Sequence, residues 1–110
     1  MANTFKNAAL ADVNNAAYDT LYTCPSATTA IVLGVAIANK SGQAVTISVQ
    51  FNDDSANTSH QLLEQVDIPG RTTLEVLAGQ KYVLEAADTL DCKAGTASAI
   101  DVTMGLMEIT

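Results

Sequence analysis

The chain has one imidazole, His60, so any Ser-His-Asp or Cys-His relay would have to run through it. It stands where a polar loop enters a strand, with no motif around it, and reads as an exposed or hydrogen-bonded structural residue. Two thiols, Cys24 and Cys92, lack the paired spacing that a zinc site requires. They read as buried free thiols of a reducing cytosol, because cysteine also serves as a small core hydrophobe. Hard oxygen ligands gather in Asp53-Asp54-Ser55-Ala56-Asn57, but the central glycine and distal glutamate of a calcium loop are absent. Asp and Asn hold turns by bonding their own backbone, so this segment and the Asp88–Asp91 segment both read as plain turns. Glu64 interrupts a strand face, which suits either a subunit boundary or a charge that discourages stray strand pairing. The glycines stand singly between strands, so no phosphate-cradling loop is formed. The sequence therefore assigns no catalytic residue, no metal ligand and no cofactor, and it reads as a non-enzyme.

The elements that would carry these residues are strands. Residues 1–17 are Ala- and Asn-rich, with Phe5, Leu10 and Val13 as their larger apolar side chains, and read as an extended arm or short edge strand, with room for one helical turn near Ala8–Val13. From Tyr18 the period is two. Pro25 ends a first strand, since it has no N–H for a ladder. Thr28–Asn39 follows, with Ile31, Leu33, Val35 and Ile37 expected on one face and Val32, Gly34, Ala36 and Ala38 on the other, a small face pressed closely by something else. Residues 39–43 read as a hairpin loop with Gly42 supplying positive φ. Val45, Ile47, Val49 and Phe51 alternate inward, and Leu62, Val66 and Ile68 do so after the polar loop. Pro69-Gly70 marks a turn. Short strands over Thr72–Val76 and Lys81–Glu85 flank a Leu77–Gln80 connection. Asp88–Lys93 is a weak strand or loop, and Ile100, Val102, Met104 and Leu106 alternate in the last strand. Seven or eight strands at such spacing predict an all-β, antiparallel two-sheet sandwich, jelly-roll or Greek-key like, over residues 18–110 behind the 1–17 arm.

The 110 residues suit one domain. Twelve acidic against five basic side chains give a net charge of −7, which argues against nucleic acid and against an anionic membrane. No signal peptide is legible at the N-terminus, and the longest apolar run, Ala30–Ala38, is half of what a membrane-spanning helix needs. Without a secretory signal, the glycosylation patterns at Asn39 and Asn57 are idle. Charged residues are only 15 % of the chain, against about 25 % in an average domain, while 48 % are hydrophobic. Long strand faces carry only Thr, Ser, Ala and Gly, a surface that suits packing against a neighbour. Tryptophan is absent, so the tyrosines suit rims of a protein interface better than sugar-stacking platforms. The candidate interface set is Phe5, Leu10, Val13, Tyr18, Tyr22 and Tyr82.

Tyr18 to Asn39 (YDTLYTCPSATTAIVLGVAIAN), Ile68-Pro69-Gly70, Leu74 to Leu90 (LEVLAGQKYVLEAADTL) and Val102 to Ile109 together resemble small virion structural proteins of tailed bacteriophages, notably those of marine and cyanobacterial hosts. The resemblance implies a β-sandwich assembled in many copies on a capsid, neck or tail, inside the virion, against copies of itself and a larger virion protein. Capsid decoration and a neck or tail accessory role are equally compatible with it. A receptor- or glycan-binding module of a phage fibre, using Tyr18, Tyr22 or Tyr82 with the 52–59 loop, is the alternative.

Overall fold

A computed structural model describes residues 2–77 and 81–110. Among the described residues nine strands form: β1 (Asn3–Leu10), β2 (Asp19–Thr23), β3 (Thr29–Asn39), β4 (Val45–Asp53), β5 (Thr58–Ile68), β6 (Thr73–Glu75), β7 (Tyr82–Leu84), β8 (Thr89–Ala94) and β9 (Ile100–Ile109). One sheet runs β1-β9-β3 with the short β6 and β7 both paired to the far edge of β3; the other runs β2-β8-β4-β5. All pairings are antiparallel. The chain crosses between sheets at nearly every connection, which is the jelly-roll way of wrapping two sheets around one core. The predicted all-β sandwich is thus the fold, with nine strands where seven or eight are read from the sequence.

The core lies between the inner faces, where Ile37, Ile47, Ile68, Leu84, Leu90, Ile100 and Leu106 are fully buried. These positions follow the period-2 pattern because successive strand side chains point to opposite faces. At β3 the pattern is corrected by a bulge. Register runs from Val32↔Leu106 to Gly34↔Gly105, so Leu33 is an extra residue and parity flips there. Ala30 and Val32 therefore point inward with Val35 and Ile37, while Ile31 and Leu33, expected inside, face outward. Two similar shifts in β5 leave Leu63 opposite Val49 and Val66 opposite Ile47, so Leu63 continues the inner face.

Three further local expectations change. Residues 39–43 are not a hairpin loop, because β3 and β4 belong to different sheets. Positive φ is not found at Gly42; the glycine that this corner needs is Gly70, whose Cβ would stand 2.6 Å from the Gly42 backbone. No helical turn forms near Ala8–Val13, since that segment completes β1 and then bends at Asp12 (φ 54°) to deliver Val13, which has no exposed surface, into the core. Of the two readings of Asp88–Lys93, the strand holds: β8 (Thr89–Ala94) is flanked on both sides. Most of the Leu77–Gln80 connection, Gly79 included, lies outside the described residues.

Candidate functional site

Most of the polar side chains buried by the fold are spent on holding it, Asp91 Oδ1 being buried without a hydrogen-bond partner among the described residues. Asp88, 2 % exposed, accepts the Glu85 and Asp54 N–H groups through its two oxygens, both at 2.9 Å. That arrangement ties the 52–59 loop to the β7–β8 corner and is the turn role read from sequence. Asn39 likewise closes the opposite corner, donating to the carbonyls of Gln43, Ile68 and Pro69. Lys40 bridges Asp12 and Asp101, and the Asp12 N–H donates to the Asp101 carboxylate at 3.0 Å. The two carboxylates push the Lys40 ammonium upward, Asp12 foremost. The Asp101 carboxyl is held low, first by the Asp12 N–H and then by Lys40.

One charged cluster joins the sheets. Glu108 continues the inward parity of Ile100, Val102, Met104 and Leu106 and is only 6 % exposed. Tyr22, from the opposite sheet, donates its hydroxyl to Glu108 at 2.5 Å, and Lys6 of β1 lies 3.0 Å from the other carboxylate oxygen. The Tyr22 bond, followed by Lys6, holds the Glu108 carboxyl below its usual range. Burial, followed by Glu108, raises the phenol of Tyr22 well above its ordinary value. A tyrosine held protonated against an ionised carboxylate serves as a clamp between layers and is poorly placed for proton transfer near neutrality.

Both cysteines are free and buried. Burial pushes the Cys92 thiol up to about 12 and also raises that of Cys24, whose Sγ faces the carbonyls of Thr28 and Leu84. His60 is exposed, stacks on Phe51 with ring centroids 6.2 Å apart, and pairs with the Thr58 hydroxyl at 3.1 Å. Among the described residues no three His, Cys, Asp or Glu side chains converge on a metal position.

The six sequence-predicted interface residues do not form one patch. Phe5 is 74 % exposed on the outer face of its sheet. Leu10, Tyr22 and Tyr82 are half-buried against the core, and Val13 is part of it. Tyr18 lies on the other sheet, its hydroxyl accepting from Gln61 at 3.1 Å and its ring 5.9 Å from the Lys93 ammonium. It lines an open polar cleft of about 250 Å³ with Ser48, Glu64, Gln65 and Lys93. What sequence reading missed is the company of Phe5. Register sets Phe5 beside Met107, Met107 beside Ile31, and Ile31 beside Val83, across four strands of the outer face. Val83 is 56 % and Leu33 40 % exposed. The alternation of Lys81, Val83 and Glu85 against Tyr82 and Leu84 carried part of this signal; the bulge at Leu33 had none.

Neither a protein-family model nor a curated protein sequence matches the chain. Among solved structures, it is similar to a chain from Bacillus endospore appendages, described as a novel family of disulfide-linked pili. The TM-score is 0.50 at 15 % identity, covering 96 % of this chain and 85 % of that one. It also matches a pentameric capsid protein isolated from metagenomic phage sequences, with a TM-score of 0.42 at 12 % identity, over 94 % of this chain and 59 % of that one. A CBM22–GH10 xylanase of Clostridium thermocellum gives 0.38 at 11 % identity, over 96 % and 25 %. At such identity the pilus chain speaks to the fold alone.

Proposed function

We propose that this chain is a non-enzymatic structural component of a bacteriophage particle, acting by packing in many copies against itself and a larger virion protein. The observation that carries the reading is the outer face of the β1-β9-β3 sheet, where Phe5, Met107, Ile31 and Leu33 lie exposed or half-exposed in a chain of net charge −7. Contiguous exposed apolar surface on a soluble domain marks an interaction site. The family resemblance of the Tyr18–Asn39, Leu74–Leu90 and Val102–Ile109 segments supplies the particle. Quantitative mass spectrometry of purified particles tests it. Copy number on the order of hundreds per particle means shell decoration, a small multiple of the tail symmetry means neck or tail, and absence from particles refutes the reading.

A second reading rests on the polar cleft beside Tyr18, which has the hydrogen-bonding side chains a glycan-binding fibre module would use. Specific glycan-array binding that is lost on Tyr18→Ala would establish it. No binding, together with normal particle incorporation, would dismiss it.

A further inference from the structure

The outer face of the β1-β9-β3-β7 sheet has relief as well as apolar character. Phe5, Met107, Ile31 and Val83 form a ridge running across the strands. Leu33, turned outward by the bulge, and Ile109 broaden it. Two residues further along the strands, about 7 Å away, the row Asn7, Gly105 and Gly34 forms a trough. A Cβ added at Gly105 would meet nothing within 4 Å, so the trough is open there, while at Gly34 a Cβ would stand 3.6 Å from the Glu75 carboxylate, which closes that end as the Asn7 side chain closes the other.

Charge and edges narrow what can cover this face. Between Asn3 and Ala9, Ile31 and Ala38, and Thr103 and Ile109, the outward positions hold no charged side chain. Lys81 and Glu85 flank Val83 at one rim with opposite signs, and Glu75 is engaged by the Val35 N–H at 3.0 Å. Two copies of a −7 chain repel over most approaches, and this face, whose charges (Glu75, Lys81 and Glu85) are confined to its β6–β7 rim, is where they meet at low electrostatic cost. Growth by edge pairing is obstructed. β1 turns Lys6 inward to Glu108, and β5 carries two register shifts and a positive φ at Gln65. Four strands about 4.8 Å apart and about 27 Å long present roughly 500 Å² per copy, so a pair would bury about 1,000 Å², the lower limit for a specific interface.

The geometry points to a second copy of this chain as the occupant. Two copies stack sheet on sheet about a two-fold axis parallel to the ridge, the Met107 at the middle of each ridge seated over the open Gly105 of the other. A two-fold axis running between ridge and trough performs this exchange, which makes the surface self-complementary. The inference deepens the assembly reading and rests on it for its biological setting, but its test is separate.

Sedimentation velocity of the full chain over about 1–500 μM should show a monomer–dimer equilibrium that tightens as salt screens the like charges. Phe5→Ser removes the ridge anchor, and Gly105→Gln fills the trough while placing its Cβ in open space. Each should weaken the dimer at least tenfold, the scale of losing a central anchor, with circular dichroism and melting showing a folded monomer. Glu64→Gln, on the other sheet, should leave the dimer unchanged. A monomer at every concentration, or a Gly105→Gln dimer as tight as the parent, overturns the proposal. So does a monomer whose loading onto particles is lost in Gly105→Gln, because a larger partner then covers the face. A monomer that still loads normally refutes the dimer and leaves the virion role intact; a dimer that never loads refutes the virion role and leaves the dimer.

Discussion

Asn39 offers the sharpest test of how the two sheets are held at one end. It is 2 % exposed at the last position of β3, and its amide donates to the carbonyls of Gln43 at 2.8 Å, Ile68 at 2.9 Å and Pro69 at 3.3 Å. Its carbonyl oxygen accepts from the Ser41 N–H at 3.0 Å and hydroxyl at 2.8 Å. Asn39→Leu keeps the approximate volume and removes every one of these bonds. The Ile68 carbonyl is the most deeply enclosed partner, and a buried polar group left unpaired costs about 1–3 kcal/mol. The remaining partners are nearer water and recover part of their loss. The sum is about 3 kcal/mol. With an unfolding entropy of about 2.1 cal/mol/K per residue, the whole chain changes by roughly 0.23 kcal/mol/K, so Tm should fall by about 13 °C. Calorimetry and urea unfolding read this directly. Ser41→Ala, which touches only the outer part of the network, should cost well under half as much. A Tm within about 4 °C of the parent for Asn39→Leu would mean that water replaces the amide, and that this corner is held by the Gly42–Gly70 backbone approach instead.

Native Cys92 should resist Ellman's reagent. At pH 8 a thiol held at about 12 is thiolate in about one molecule in ten thousand, against roughly a quarter at the ordinary value, so labelling should be over a thousandfold slower than in urea. Tyr22→Phe removes the main cause of the low Glu108 carboxyl. Such a carboxylate stabilises the fold above its ordinary pKa and loses that support as pH falls through the lower folded-state value. The Tm gap between parent and variant should therefore be widest near neutrality and close below about pH 4. The raised Tyr22 phenol adds an alkaline limb, its support being present below about pH 10 and lost above it. Gly70→Ala puts a methyl carbon 2.6 Å from backbone, so melting should show a loss of about 1–3 kcal/mol, whereas Gly105→Ala should melt at or above the parent temperature. Deleting residues 2–10 should lower Tm by removing β1, and deleting residues 2–17 should lower it further, because Val13 then leaves an empty core position. Equal melting of the two truncations would show that Val13 contributes nothing.

Much of the fold is legible in single residues. Val45, Ile47 and Val49 declare a half-buried strand by alternation alone, and Ile100 through Leu106 do the same, because an uninterrupted strand converts sequence parity into sidedness without reference to anything else. Pro25 and Pro69-Gly70 mark ends for reasons equally local. The interface set was less legible. Tyr22 and Tyr82 have the amphipathic character of rim residues, and nothing local distinguishes a tyrosine at a subunit rim from one whose hydroxyl reaches a carboxylate 86 residues away.

The sequence by itself determined the strand content, the inward and outward alternation of unbroken strands, the acidic and weakly charged surface, and the uses of Asp88 and Pro69-Gly70 in turns. These depend on the covalent chain and its immediate neighbours. Tertiary structure alone decided that Glu108 is clamped by Tyr22 and Lys6, that Leu33 is the residue expelled at a bulge, and that Phe5, Met107, Ile31 and Val83 stand in one row. A row across four strands is set by register, and register is fixed by pairing partners far apart in the chain, together with bulges that shift parity by one. The apolar face through which this protein is proposed to assemble therefore comes into existence only when β1, β9, β3 and β7 are laid side by side.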